Sequence, residues 1–125
     1  MILTGLVITA ASGLAIAIIG LLYLCAPRTA APTFGLPSVP GVQHTAWLRI
    51  KGVRDAACGV AAAALLATAP PAAIGWCLLA FALIPAGDAA TILASRGRPA
   101  AAWGIHVPTA LVMIAGAILL LVGAR

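Results

Sequence analysis

Apolar residues fall into four long runs along the chain, and prolines and basic residues mark where each run stops. Residues 3–25 carry no charged side chain, and Pro27 and Arg28 follow them. Residues 46–69 end at Pro70-Pro71, where two prolines cannot continue a helical hydrogen-bond ladder. Residues 72–95 follow at once and close at Arg96-Gly97-Arg98-Pro99, and residues 100–122 complete the pattern ahead of Arg125. Each run has the roughly 20 apolar residues that cross a hydrocarbon core as a helix. The prediction is an all-α integral membrane protein, an up-down four-helix bundle forming a single four-span domain over residues 1–125. The short connections after the second and third runs make neighbouring helices antiparallel. Small residues, such as Gly59 with Ala63 and the alanines from Ala61 to Ala64, let helices approach closely.

Composition excludes the soluble alternative. The chain is 64% hydrophobic and 7% charged with a mean hydropathy of +1.19, whereas soluble domains carry about a quarter of their residues as charged side chains. The net charge of +5 does not indicate nucleic acid, because the basic residues form no stripe with interleaved aromatics. Arg28, Arg96 and Arg98 lie outside the runs on one side, with Arg49 and Lys51 close to it and Arg125 opposite. The positive-inside rule then places the first and third loops in the cytoplasm and both termini outside, as expected of a multi-pass protein of a bacterial plasma membrane. The first run lacks a basic leader and is too long for a cleaved signal, and Leu24 stands where lipoprotein processing at Cys25 needs a small residue. It therefore reads as a retained span. Cys25, Cys58 and Cys77 have no metal-ligand spacing and read as packing residues.

Candidate chemistry is concentrated. Ionisable side chains within a span are costly and mark functional sites by default. The second run opens with Arg49, Lys51, Arg54 and Asp55, the third holds Asp88 and the fourth His106; these two aspartates are the only acidic residues. At a rise of 1.5 Å per residue, Asp55, Asp88 and His106 lie about 13, 10 and 9 Å from the same end of the bundle. Tyr23 belongs to that level. Helical spacing puts Lys51, Asp55 and Cys58 on one face with Arg54 at its edge, Asp88 with Thr91, and His106 with Trp103. Asp55, Asp88 and His106 are the expected acid–base groups. Lys51, Arg54, Tyr23, Trp103 and Thr91 are the expected ligand contacts. Arg54 paired with Asp55 or with Asp88 would instead be an ion pair that fixes helix register. Pro85 and Pro108 free the carbonyls of Phe81 and Gly104 beside this level. Lys51 and Arg54 neutralise the carboxylates, so no metal site and no cofactor are expected. The connection from Ala26 to Thr45, rich in proline and apolar, reads as an interfacial linker or a lid with Gln43 and His44 reaching inward.

Phe34-Gly35-Leu36-Pro37, Ile50-Lys51-Gly52-Val53-Arg54-Asp55 with Gly59, Leu83-Ile84-Pro85-Ala86-Gly87-Asp88 and Ile105-His106 together resemble a small four-span membrane family. That family is catalogued as domain of unknown function 4267, and the resemblance covers nearly the whole chain. It implies the fold and a shared polar set at Lys51, Arg54, Asp55, Asp88 and His106, and it implies no reaction. The expected function is binding or acid–base conversion (isomerase- or cyclase-like) of a lipophilic small molecule. An accessory subunit and a small proton-coupled transporter are the alternatives. Membrane lipid and the lipophile are the expected partners, nucleic acid is not, and a homo-oligomer is compatible with the sequence. Phosphate-binding glycine loops, GxSxG and HExxH are absent.

Overall fold

A computed structural model describes residues 1–38, 41 and 44–125. It is an all-α helical bundle, and among the described residues there is no strand. The helices are α1 (Ile2–Cys25), α2 (Pro27–Phe34), α3 (Thr45–Thr68), α4 (Pro71–Phe81), α5 (Leu83–Ala94), α6 (Pro99–Ala101) and α7 (Val107–Gly123). Prolines open several of them: Pro27, Pro71 and Pro99 each begin a helix, where the missing N–H would have had no partner.

Two of the long rods are interrupted by their own prolines. α4 and α5 form one apolar rod, Pro71–Ala94, broken at Ala82 three residues ahead of Pro85. α6 and α7 belong to a second, Pro99–Gly123, joined by a π turn over Ala102–His106. Pro108 cannot donate to the Gly104 carbonyl, and the wider turn lets the Val107 N–H reach the carbonyl of Ala102 instead. With α1, these are three helices long and apolar enough to cross a membrane. α3 is equally long at 24 residues, but Arg49, Lys51, Arg54 and Asp55 lower the hydropathy of its first half.

Glycines set the packing. A Cβ on Gly20 would strike the backbone of Ala56, and one on Gly59 would strike Ala17. Later residues of α1 therefore meet earlier residues of α3, so the two run antiparallel in close backbone contact. Gly5 meets Leu120 and Gly116 meets Ile8, which makes α1 antiparallel to α7; Gly75 meets Leu121, which does the same for α4 and α7. A dry core of Ile74, Leu78, Met113 and Leu120 closes one end, and Leu65 and Leu66 bring the last turns of α3 onto it. At the other end Ala89, Ile92 and Ala102 form a smaller core under Phe34. Between these ends α3 and α5 make no close backbone approach, and a cavity lies among the helices there.

The connection after α1 is not simply a linker. Pro27–Phe34 folds as a helix and ends at Gly35, whose φ of 104° is the left-handed conformation that suits glycine. The Arg98 amide donates to the Gly35 carbonyl at 2.7 Å, and the Arg98 side chain donates to the Pro32 carbonyl at 2.6 Å. These bonds hold α2 across the end of the bundle. His44 is exposed rather than turned inward; Gln43 lies outside the described residues.

Candidate functional site

The cavity holds about 350 Å³, within the range of small-molecule sites. Most of its wall is apolar, from Ile16 and Ile19 of α1 to Leu78 and Phe81 of α4 and Met113 of α7. Tyr23, Lys51, Asp88 and His106 gather at its α2 end, and Thr33 and Phe34 close it there. The result is a long apolar chamber with one polar end.

Lys51 reaches this end from the first half of α3. Its Nζ donates to Asp55 Oδ2 at 2.5 Å, an i,i+4 pair within one helix. The same Nζ lies 4.9 Å from the centre of the Tyr23 ring and 5.3 Å from that of Phe34, within cation–π range. Asp55 is buried and lies outside the cavity wall. Its contact with the chamber passes through Lys51. Arg54, expected as a ligand contact or as an ion-pair partner of either aspartate, does neither: it is exposed and lines no part of the chamber, because adjacent residues on a helix point about 100° apart whereas i and i+4 share a face.

Asp88 and His106 face each other across the chamber. Asp88 Oδ2 and His106 Nδ1 are 3.7 Å apart, beyond hydrogen-bond length. His106 Nε2 is 3.4 Å from the Phe34 carbonyl, which can only accept, and only when this nitrogen carries a proton. Nδ1 faces the Asp88 carboxylate. The Phe34 ring meets the imidazole edge-on at 5.1 Å, so α2 holds His106 through both its backbone and its side chain.

Two expected contacts point elsewhere. Trp103 is 62% exposed: the π turn changes the number of residues per turn, and the face it would share with His106 in a regular helix is lost. Thr91 is exposed and its hydroxyl donates to the Gly87 carbonyl at 2.8 Å. Sequence reasoning missed Phe34 as a site residue, and it missed Thr9, Ser12, Ile16 and Ile19, which with the expected Tyr23 form a stripe that lines the chamber from α1. Alternating steps of three and four residues in that stripe are a legible helical-face signal. Cys58, read as packing, also lines the wall. Among the described residues, no group of three or more His, Cys, Asp or Glu side chains is placed to hold a metal ion.

Neither a curated protein nor a solved structure matches the chain. The sequence does match the family described as Domain of unknown function (DUF4267) over residues 13–121, a span that takes in Tyr23, Lys51, Asp88 and His106. By that match the chain belongs to the DUF4267 family.

Proposed function

We propose that the protein crosses the bilayer four times and binds a lipophilic small molecule in the chamber, where Asp88 and His106 carry out acid–base conversion of its polar end. One observation carries this reading: an apolar cavity with Lys51, Asp88 and His106 gathered at a single end. An apolar body would fill the chamber, and its functional group would lie between Asp88 and His106. Isomerisation or ring closure then needs one group to deliver a proton and the other to remove one, in a site that keeps water away. Lys51, held by Asp55, would set the field at the polar end; Asp55 acts through Lys51 as a positioning residue. In a membrane the polar end would lie toward the side that holds Arg28, Arg96 and Arg98, the cytoplasmic side by the positive-inside rule.

A purely structural role for the charges finds less support. The Lys51–Asp55 pair lies within α3, so it ties no two helices together. Export finds less support too, since α1 carries no carboxylate and the charged groups sit at one end of the chamber rather than at its middle.

Mass spectrometry of lipophiles co-purifying with the wild type and with Asp88→Asn and His106→Ala tests the reading. A defined compound held by the wild type and lost from both variants, each folded by circular dichroism, is the expected result. Equal retention by all three proteins, or no specific compound in the wild type, overturns it.

A further inference from the structure

We propose that the chamber selects a lipophilic cation, such as a long-chain amine, over an acid of the same length, and that Asp88 is the group that holds it. This rests on the reading of the chamber as a lipophile site and adds the charge of its occupant. The argument is one of charge. The chamber's one lysine is already enclosed, by Asp55 at 2.5 Å and by the ring faces of Tyr23 and Phe34. An incoming anion would have to compete with a carboxylate already in contact. Asp88, in contrast, lines the chamber and makes no hydrogen bond among the described residues; its neighbour His106 stands off at 3.7 Å.

The site carries a negative charge or none in three of its four protonation states. With His106 neutral, Lys51 and Asp55 cancel and Asp88 leaves the site one negative charge. With His106 protonated, or with Asp88 carrying the proton, the site is neutral. An overall positive site would need both protons at once. The arginines do not alter this balance at close range: Arg49, Arg54 and Arg98 are exposed and line no part of the chamber. Apolar walls strengthen the preference, because a charge interaction weakens less in a low-dielectric site than in water. The same features would stabilise a positive charge developing on a substrate during proton addition.

The test uses full-length protein in nanodiscs of zwitterionic phosphatidylcholine, labelled by a neutral photoreactive long-chain alcohol. Dodecylamine, dodecanol and dodecanoate compete for the label, each compared at equal mole fraction in the membrane. Dodecylamine is expected to displace the label at about tenfold lower membrane concentration than dodecanol, with dodecanoate weakest. In Asp88→Asn the amine should fall to the level of the alcohol, and in Asp88→Glu it should keep its advantage. Dodecanoate displacing as well as dodecylamine in the wild type overturns the proposal, and this comparison does not depend on any variant folding. An amine advantage that survives Asp88→Asn overturns it as well. Label that maps to chamber residues and is displaced by all three compounds equally removes the charge preference while leaving the lipophile site standing. Label that never maps there removes both.

Discussion

Replacing Gly20 with alanine adds one methyl group to the helix that carries Tyr23, at the tightest point between α1 and α3. The new Cβ would fall on the amide nitrogen of Ala56, with the Ala56 Cα and the Gly52 carbonyl oxygen each 2.8 Å away. All three are backbone atoms, so no side-chain rotation relieves the contact. α1 and α3 must separate, and a gap of 0.5–1 Å forfeits roughly a quarter to a half of the dispersion attraction across it. Overpacking of this kind costs about 1–3 kcal/mol, and the rigid backbone places Gly20 in the upper part of that range. Against it stands the better helix propensity of alanine, about 1 kcal/mol. The net expectation is a loss of about 1–2 kcal/mol, or roughly a 5- to 30-fold fall in the folded ratio. Gly87→Ala is the matched control: it lies in α5 with nothing within 4 Å of an added Cβ, so only the propensity gain applies. Unfolding by sodium dodecyl sulfate in mixed micelles, followed by far-ultraviolet circular dichroism, reads both variants on one scale. A Gly20→Ala protein as stable as Gly87→Ala would refute the close backbone packing of α1 on α3.

Two further expectations concern the charged groups and the chamber wall. Asp55→Asn leaves the Lys51 ammonium unpaired and should cost about 3 kcal/mol, the low end for a broken buried pair because Lys51 is partly exposed. The double change Lys51→Met with Asp55→Leu should recover most of that loss in the same unfolding assay, and failure to recover it would mean that Lys51 is not the group Asp55 neutralises. Arg54→Gln, Thr91→Val and Trp103→Ala alter side chains outside the chamber, so lipophile retention measured by mass spectrometry should be unchanged in all three. Phe34→Ala opens the polar end and should lose most of it; the reverse pattern would place the ligand outside the bundle.

Helix ends were legible because proline acts locally. Pro71 and Pro99 open helices in the structure as their chemistry requires, and a continuous apolar run admits few structures other than a buried or membrane-facing helix. Rise per residue and antiparallel packing brought Asp55, Asp88 and His106 to the level of Tyr23; the chamber takes in Tyr23, Asp88 and His106, while Asp55 lies behind Lys51. Rotation about each helix axis was the harder part. Arg54 and Lys51 are three residues apart, and only one of them meets Asp55; spacing narrowed the choice, and Gly52 and Gly59, seated against α1, decided which face turned inward. The seven-residue step between these glycines, matched by Gly13 and Gly20 in α1, was a signal in the sequence that small-residue reasoning alone did not use. Trp103 was misplaced because a proline downstream changed the helix type upstream. α2 was hidden because Pro27–Phe34 is short and rich in proline and threonine, so its stability comes from what it touches, notably Arg98 and His106.

The position of α1 explains why a chain this short can enclose a chamber at all. α1 packs closely on α3 through glycines and on α7 through Gly5 and Gly116, while α7 in turn packs on α4. The helices thus form an open series, α3–α1–α7–α4, rather than a closed ring, and the last turns of α3 meet the α4 core only at the end away from the polar groups. α1 meets α3 through Gly13, Ala17 and Gly20 and meets α7 through Gly5 and Ile8, and between these contacts Thr9, Ser12, Ile16, Ile19 and Tyr23 line the chamber. The seam between α3 and α5, where the two helices make no close backbone approach, then lies beside Asp88, the polar residue with most to gain from an occupant. On the proposed reading that seam is the route in: a lipophile entering sideways from the bilayer meets the polar end directly, while α2, bonded to Arg98 and His106, keeps water from the same groups. Widening the seam would be expected to speed exchange, and loosening α2 to admit water, so the two sides of the polar end serve opposite purposes.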